Sequence, residues 1–147
     1  MAAPRKIFVL NGPNLNLLGT REPEIYGFET LDDIAERMED EARRANVEID
    51  FRQSNHEGHL VDWLQEANGE GALAVILNAA AYTHTSLALY DAIKAISVPV
   101  IEVHISNPAS REAYRHQSYV GMAARGTIAG FGTLGYMLAL EAALEMD

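Results

Sequence analysis

The sequence predicts an α/β fold in which parallel strands alternate with helices. Short apolar runs bounded by turn residues recur along the chain, and each is followed by a longer amphipathic stretch. The run over residues 72–77 is apolar throughout, which is typical of a parallel strand covered on both faces. Five such strand–helix pairs predict a flavodoxin-like, doubly wound, five-stranded parallel sheet with helices on both faces.

The element boundaries follow from this periodicity and from capping residues. Strands are expected at 7–10, 47–52, 72–77, 98–103 and 126–129. Helices are expected at 30–45, 57–68, 86–96 and 133–146, with a short helix within 110–116. Thr30 and Asp33 suggest a capping box, and Thr85 is a candidate N-cap for the third long helix. We expect one domain over residues 1–147, since no linker or repeat interrupts the pattern.

Charge and composition exclude several classes of protein. The formal net charge of −10 argues against a nucleic-acid partner, because phosphate binding needs a basic face. The absence of cysteine excludes a disulfide framework and a thiolate metal site or nucleophile. The apolar run at 7–10 is too short for a signal peptide, and no stretch approaches the ~18 apolar residues of a membrane span. These features predict a cytoplasmic protein with no membrane partner.

Polar side chains gather where three of the predicted strands end. They comprise Asn11, Asn14, Asn16, Arg21 and Tyr26 after the first strand; Asn78, Tyr82, Thr83 and His84 after the third; and His104, Ser106, Asn107, Arg111 and Arg115 after the fourth. Folds of this kind bind ligands at the carboxyl ends of the strands. The sequence therefore predicts a site at that edge, where the arginines would give a local positive charge within an acidic protein.

Several cofactor chemistries have no motif here. No GxGxxG follows the first predicted strand, and the chain contains no phosphate-binding GxxxxGK[ST] and no GxSxG elbow. The sequence His-Glu-Gly-His at 56–59 is not HExxH and is interpreted as a solvated helix start, and the lysines, Lys6 and Lys94, lie away from the predicted site. We therefore expect no metal and no cofactor. Two alternatives remain for this fold. A flavin- or nucleotide-binding module would need a phosphate-binding loop after the first strand, where none is found. A receiver domain would need clustered aspartates at the strand ends, which here carry Asn, His and Arg.

The polar segments together resemble the type II 3-dehydroquinate dehydratases. The matching segments are Asn-Gly-Pro-Asn-Leu-Asn-Leu-Leu-Gly at 11–19, Arg-Glu-Pro at 21–23, Tyr-Gly at 26–27, Arg-Gln-Ser-Asn at 52–55, Asn78, Tyr-Thr-His-Thr-Ser at 82–86 and Ile-Glu-Val-His-Ile-Ser-Asn at 101–107. They cover nearly the whole chain in order. One departure is Ala-Ala-Ala at 79–81, where the family leads us to expect proline or glycine. The resemblance implies cofactor-free dehydration of 3-dehydroquinate through an enolate, in the shikimate pathway or quinate catabolism.

The resemblance also implies catalytic roles. Tyr26 matches the base, and Arg21 matches the cation that favours its phenolate. Asn14 matches a residue that holds a water against the developing enolate oxygen, and His104 matches the general acid, oriented by Glu102 two residues earlier on the same strand face. From the residues alone, a loop tyrosine such as Tyr26 is more often a lid contact than a base, and His104 is equally compatible with a core histidine.

Substrate contacts carry over in the same way. Ring hydroxyls should be bound by Asn78, His84, Asp91 and Arg115, and the carboxylate by the backbone N–H groups of Ile105 and Ser106 with the Ser106 hydroxyl. Asp91 could reach the pocket from its own helix or from a neighbouring subunit. Arg111 could bind substrate or lie at the surface.

Two further expectations concern motion and assembly. The segment 18–28 carries Arg21 and Tyr26 between Gly19 and Gly27, so we expect a lid that closes over substrate. The resemblance implies a homododecamer built as a tetramer of trimers.

Overall fold

The computed structural model describes residues 5–20 and 22–146, with the side chain of Tyr26 outside that description. Its strands are β1 (Arg5–Asn11), β2 (Val47–Gln53), β3 (Ala74–Asn78), β4 (Val100–His104) and β5 (Gly126–Ala129). Its α-helices are α1 (Pro23–Tyr26), α2 (Leu31–Arg44), α3 (Glu57–Gly69), α4 (Leu87–Ala95), α5 (Tyr119–Ala123) and α6 (Leu134–Leu144). Short 3₁₀ turns occupy Leu15–Leu17, Ala80–His84, Pro108–Ser110 and Ala113–Arg115.

The sheet confirms the predicted fold class. Its strands are parallel and lie in the order β2-β1-β3-β4-β5. Helices cover both faces, because alternate residues of each buried strand point to opposite sides. Ile7 and Val9 pack in the cluster that includes α2 and α6, whereas Phe8 and Leu10 pack with α3 and α4.

The caps of the helices agree with the sequence in one case and correct it in another. Thr30 Oγ1 accepts from the Asp33 N–H at 3.2 Å, and Asp33 accepts from the Thr30 N–H at 3.0 Å, so the capping box is confirmed. Thr85 is not the N-cap of α4. Ser86 is, because its hydroxyl accepts from the Leu89 N–H at 2.9 Å.

The segment after β4 also differs from expectation. Instead of one helix within 110–116, two separate 3₁₀ turns at Pro108–Ser110 and Ala113–Arg115 carry the chain away from the strand. The five-residue helix α5 follows them and was not predicted. Its N-cap, Ser118, accepts from the Gly121 N–H at 2.7 Å.

The topology identifies one crevice as the place for a ligand. β1 lies between β2 and β3, so the connection after β1 and the connection after β3 run in opposite directions along the sheet. In parallel sheets this reversal of strand order opens a crevice at the carboxyl ends. Asn11 and Asn78, the last residues of β1 and β3, are paired there in register.

No helix within the described ranges is long and apolar enough to cross a membrane.

Candidate active site

A pocket lies at the carboxyl edge of the sheet, where the sequence predicts a site. It is lined by Pro13, Asn14, Leu15, Asn78, Ala80, Ala81, His84, His104, Ile105, Ser106, Pro108, Arg111 and Arg115. The loop after β1, the turn after β3 and the segment after β4 thus each supply one part of its wall. Eight of the residues proposed from the sequence meet here: Asn14, Asn78, His84, His104, Ile105, Ser106, Arg111 and Arg115.

His104 forms a buried pair with Glu102. Both residues belong to β4 and point to the same face, and His104 Nε2 lies 2.8 Å from Glu102 Oε2. A carboxylate only accepts, so Nε2 carries a hydrogen and donates it to Glu102. The expected orientation of His104 by Glu102 is therefore present.

Glu102 is held by two further donors that the sequence analysis missed. Its side chain is 2% exposed, and it accepts from the Ser118 hydroxyl at 2.5 Å and from the Thr127 hydroxyl at 2.6 Å. Burial raises the pKa of Glu102, but the hydrogen bonds and charge of His104, with those two hydroxyls, outweigh it and hold the pKa below the ordinary range. Glu102 is therefore a fixed negative charge behind His104.

Close packing of α5 completes this cradle. A Cβ on Gly121 would lie 2.7 Å from Glu102 Oε1 and 3.0 Å from Ser118 Oγ. Only glycine leaves room for the carboxylate there. Thr127 could have been found from the pairing of β4 with β5, because it lies opposite Glu102 in that register. Ser118 could not, because it caps a helix that the sequence did not predict.

His84 lies beside His104 on the turn after β3. The ring centroids are 6.4 Å apart and the planes are 17° from parallel. His84 Nδ1 lies 2.8 Å from the Gln117 carbonyl oxygen, which can only accept, so Nδ1 is protonated and Nε2 is the group left to meet a ligand.

Asn14 reaches the pocket from a loop and has left-handed backbone dihedral angles, with φ 70°. Its N–H donates to Asn55 Oδ1 at 3.0 Å, and that same oxygen accepts from Gln53 Nε2 at 3.1 Å. The Asn55 carbonyl accepts from the Tyr82 hydroxyl at 2.8 Å. Asn55 therefore connects the loop that carries Asn14 to the turn that carries His84.

The Ala-Ala-Ala segment at 79–81 adopts a conformation that explains the expectation of glycine. Ala80 has φ 53°, in the left-handed region where a Cβ is unfavourable. A Cβ on Gly12 would lie 2.5 Å from the Ala79 oxygen, so the loop after β1 packs tightly against this segment.

Two arginines give the pocket its positive charge. Arg111 donates to the Ser106 hydroxyl at 3.3 Å, beside the segment proposed to bind a carboxylate. Arg115 donates to Glu112 at 2.9 Å and also lines the pocket. Arg111 Nε also lies 3.8 Å from Glu112 Oε2, so the two cations share one carboxylate and leave a net positive charge where an anion would enter.

The remaining predicted residues do not join the described pocket lining. Asp91 is exposed on α4. Arg21 lies outside the described residues, as does the side chain of Tyr26, whose backbone ends α1. Among the described residues, no group of three or more His, Cys, Asp or Glu side chains could hold a metal ion.

The arrangement suits acid–base chemistry on a small polar anion. A buried carboxylate supports an imidazole at the pocket surface, and amides, hydroxyls and guanidinium groups surround the space beside it. Such a set of groups can transfer a proton and bind several oxygen atoms at once.

Known proteins that are similar to this chain in sequence and fold are dehydroquinases. The family model described as dehydroquinase class II matches residues 5–144. A 3-dehydroquinate dehydratase from Hyphomonas neptunium is 61% identical over 97% of this chain and 95% of its own. The crystal structure of a type II dehydroquinase from Propionibacterium acnes superposes with a TM-score of 0.93 at 42% identity, covering 99% of both chains. One from Butyrivibrio crossotus gives the same TM-score at 41% identity, over 97% of this chain and 99% of its own.

Proposed function

Since this chain belongs to the class II dehydroquinase family, we propose that it dehydrates 3-dehydroquinate to 3-dehydroshikimate as a cofactor-free hydro-lyase. The carrying observation is the buried Glu102–His104 pair at the surface of a pocket that also contains two arginines. That pair is an acid positioned to protonate a departing hydroxyl. The reaction then belongs to the shikimate pathway or to quinate catabolism.

The proposed first step removes a proton from the carbon alpha to the ketone. Tyr26 is the base, and Arg21 favours its phenolate form; both assignments rest on the sequence motif. The electron pair of the broken C–H bond moves onto the ketone oxygen and forms an enolate. A water held by Asn14 stabilises the developing charge, as donors in an oxyanion hole do.

The second step expels the hydroxyl at the β carbon. The enolate collapses to the conjugated ketone, the C–O bond breaks, and protonated His104 donates its proton so that water leaves. Glu102 stabilises the imidazolium before transfer, because it carries a full negative charge at 2.8 Å. The base takes up one proton and the acid supplies one, so the elimination is balanced without an electron carrier.

The proposed binding contacts divide between carboxylate and ring. The Ile105 and Ser106 N–H groups and the Ser106 hydroxyl bind the carboxylate, with Arg111 beside Ser106. Asn78, His84 and Arg115 bind ring oxygens. Asp91 does not line the pocket of its own chain, which supports its arrival from a neighbouring subunit.

We propose the homododecamer, a tetramer of trimers, as the assembly in which this happens. Large apolar side chains are exposed beside one another, with Phe28 at 79% and Phe131 at 62%, and both line one shallow groove with Ile25 and Leu134. Sedimentation of the protein should give a mass near twelve times 16.1 kDa.

The test is a direct absorbance assay for the conjugated ketone. We expect turnover by the wild type and a loss of kcat on the order of 10²–10⁴-fold in both Tyr26→Phe and His104→Ala, the usual contribution of a general acid or base. Tyr90→Phe and His59→Ala are the matched controls, since neither residue lines the pocket. A wild type that makes no product would refute the function.

Isotope exchange separates the two roles. In deuterated water, His104→Ala should still exchange the alpha proton of 3-dehydroquinate while dehydration is slow, because enolate formation does not need the acid. Tyr26→Phe should lose both reactions. Full activity in Tyr26→Phe would overturn the base assignment and leave the function intact.

A further inference from the structure

A directional chain of hydrogen bonds runs through the core beneath the pocket. The Ala80 N–H donates to Asn78 Oδ1 at 3.2 Å, and Asn78 Nδ2 donates to the Tyr136 hydroxyl at 2.9 Å. That hydroxyl donates to Asn11 Oδ1 at 2.7 Å, and Asn11 Nδ2 donates to the Arg52 carbonyl at 2.9 Å. The chain links β3, α6, β1 and β2.

Its two ends fix the direction of every bond between them. A backbone N–H, at Ala80, only donates, and a backbone carbonyl, at Arg52, only accepts. Each intervening amide therefore has one orientation that satisfies both neighbours, and the Tyr136 hydroxyl has one direction in which to donate. Reversing any member would set donor against donor or acceptor against acceptor.

Burial makes this direction hard to reverse. Tyr136 and Asn11 are 0% exposed and Asn78 is 3% exposed, so water does not replace a lost partner at low cost. Burial raises the pKa of Tyr136, and the hydrogen bond from Asn78 opposes that rise only in part. The hydroxyl therefore keeps its proton and remains the donor to Asn11.

Among the side chains linked by these hydrogen bonds, that of Asn78 belongs to a residue that lines the pocket. One of its two amide hydrogens goes to Tyr136, and its oxygen faces the Ala80 N–H. We propose that Tyr136 is a positioning residue that holds Asn78 with its second N–H toward the ligand. The pocket then recognises an acceptor oxygen at that point. This inference rests on the proposed function, in which Asn78 binds substrate.

The experiment is a double-mutant cycle read by steady-state kinetics. Tyr136→Phe removes only the hydroxyl and should raise KM about tenfold with kcat within about twofold, since a binding contact is misplaced and the reacting groups are not. Asn78→Ala should raise KM at least as much. In the double variant, Tyr136→Phe should add no further rise, because Tyr136 acts on the substrate through Asn78.

The controls separate positioning from stability. Tyr90→Phe, a tyrosine outside the chain of bonds, should leave KM unchanged. If Tyr136→Phe does not fold, Asn11→Ala keeps the hydroxyl but removes its acceptor, and should raise KM roughly threefold in the same cycle. Additive effects in the cycle, an unchanged KM, or a loss confined to kcat would each overturn the inference. A wild type without turnover would instead refute the proposed function.

Discussion

His104 and Asn14 line the same pocket but reach it through different kinds of structure. His104 is the last residue of β4. The buried Glu102 carboxylate beside it accepts hydrogen bonds from His104, Ser118 and Thr127. Asn14 lies in a loop with φ 70°, and its N–H is held by one side-chain oxygen of the exposed residue Asn55.

This difference separates two ways of fixing a functional group. On the β4 side, strand register and burial set the geometry, and a lost partner leaves a buried charge uncompensated, which is costly. On the loop side, water competes for each hydrogen bond, so one bond contributes about 0.5–1.5 kcal/mol. Substitutions of the residues that hold His104 should therefore lower activity more than substitutions of the residue that holds Asn14.

The largest effect is expected for Glu102→Gln. The amide removes the charge that stabilises the imidazolium, and its NH₂ group meets hydroxyls that now donate to the carboxylate. We expect kcat to fall on the order of 10²-fold, within the range of general acid catalysis. Glu48→Gln, on the exposed part of β2, is the matched control and should keep wild-type activity.

The same variant carries a pH signature in stability. The folded pKa of Glu102 is held below its ordinary value of 4.5, so the ionised form stabilises the protein above that pH. The stability is lost as the pH falls through the folded pKa. In urea unfolding, the loss in free energy of unfolding caused by Glu102→Gln should shrink as the pH falls below 4.5. A deficit independent of pH would contradict the fixed-charge assignment.

An intermediate effect is expected for Gly121→Ala. The new Cβ would crowd Glu102 Oε1 at 2.7 Å, so the carboxylate must shift and kcat should fall about tenfold, which corresponds to roughly 1.4 kcal/mol. Gly58→Ala is the control, because a Cβ there meets nothing within 4 Å in helix α3. It should keep full activity. Equal activity in both variants would show that the cradle tolerates displacement.

The smallest effect is expected for Asn55→Ala on the loop side. Losing the acceptor for the Asn14 N–H should lower kcat/KM roughly threefold, as expected for one exposed hydrogen bond. Asn55→Asp keeps an acceptor oxygen and should restore most of the activity. A loss in Asn55→Ala as large as that of Glu102→Gln would break the comparison between the two sides.

The sequence anticipated the half of the site that depends on local pattern. Alternation along β4 places Glu102 and His104 on one face, Asn78 ends β3, and Asn14 lies in the loop after β1. It did not anticipate α5, since five residues give too little periodicity to distinguish a helix from a loop. The prediction of Thr85 as the N-cap of α4 was also wrong. Two adjacent hydroxyl residues, Thr85 and Ser86, fit that position equally well until the first helical residue is known.

By itself, the sequence determined the succession of strands and helices along the chain, the fold class, and the strand ends where the polar residues gather. These depend on the spacing of apolar residues within short windows. Only the tertiary structure decided which groups hold them: Ser118 and Thr127 for Glu102, Asn55 for Asn14, and Tyr136 for Asn78. Tyr136 and Asn11 are 125 residues apart in sequence yet share a hydrogen bond of 2.7 Å. Such contacts follow from strand order, register and packing, which bring distant segments together and leave no trace in local pattern.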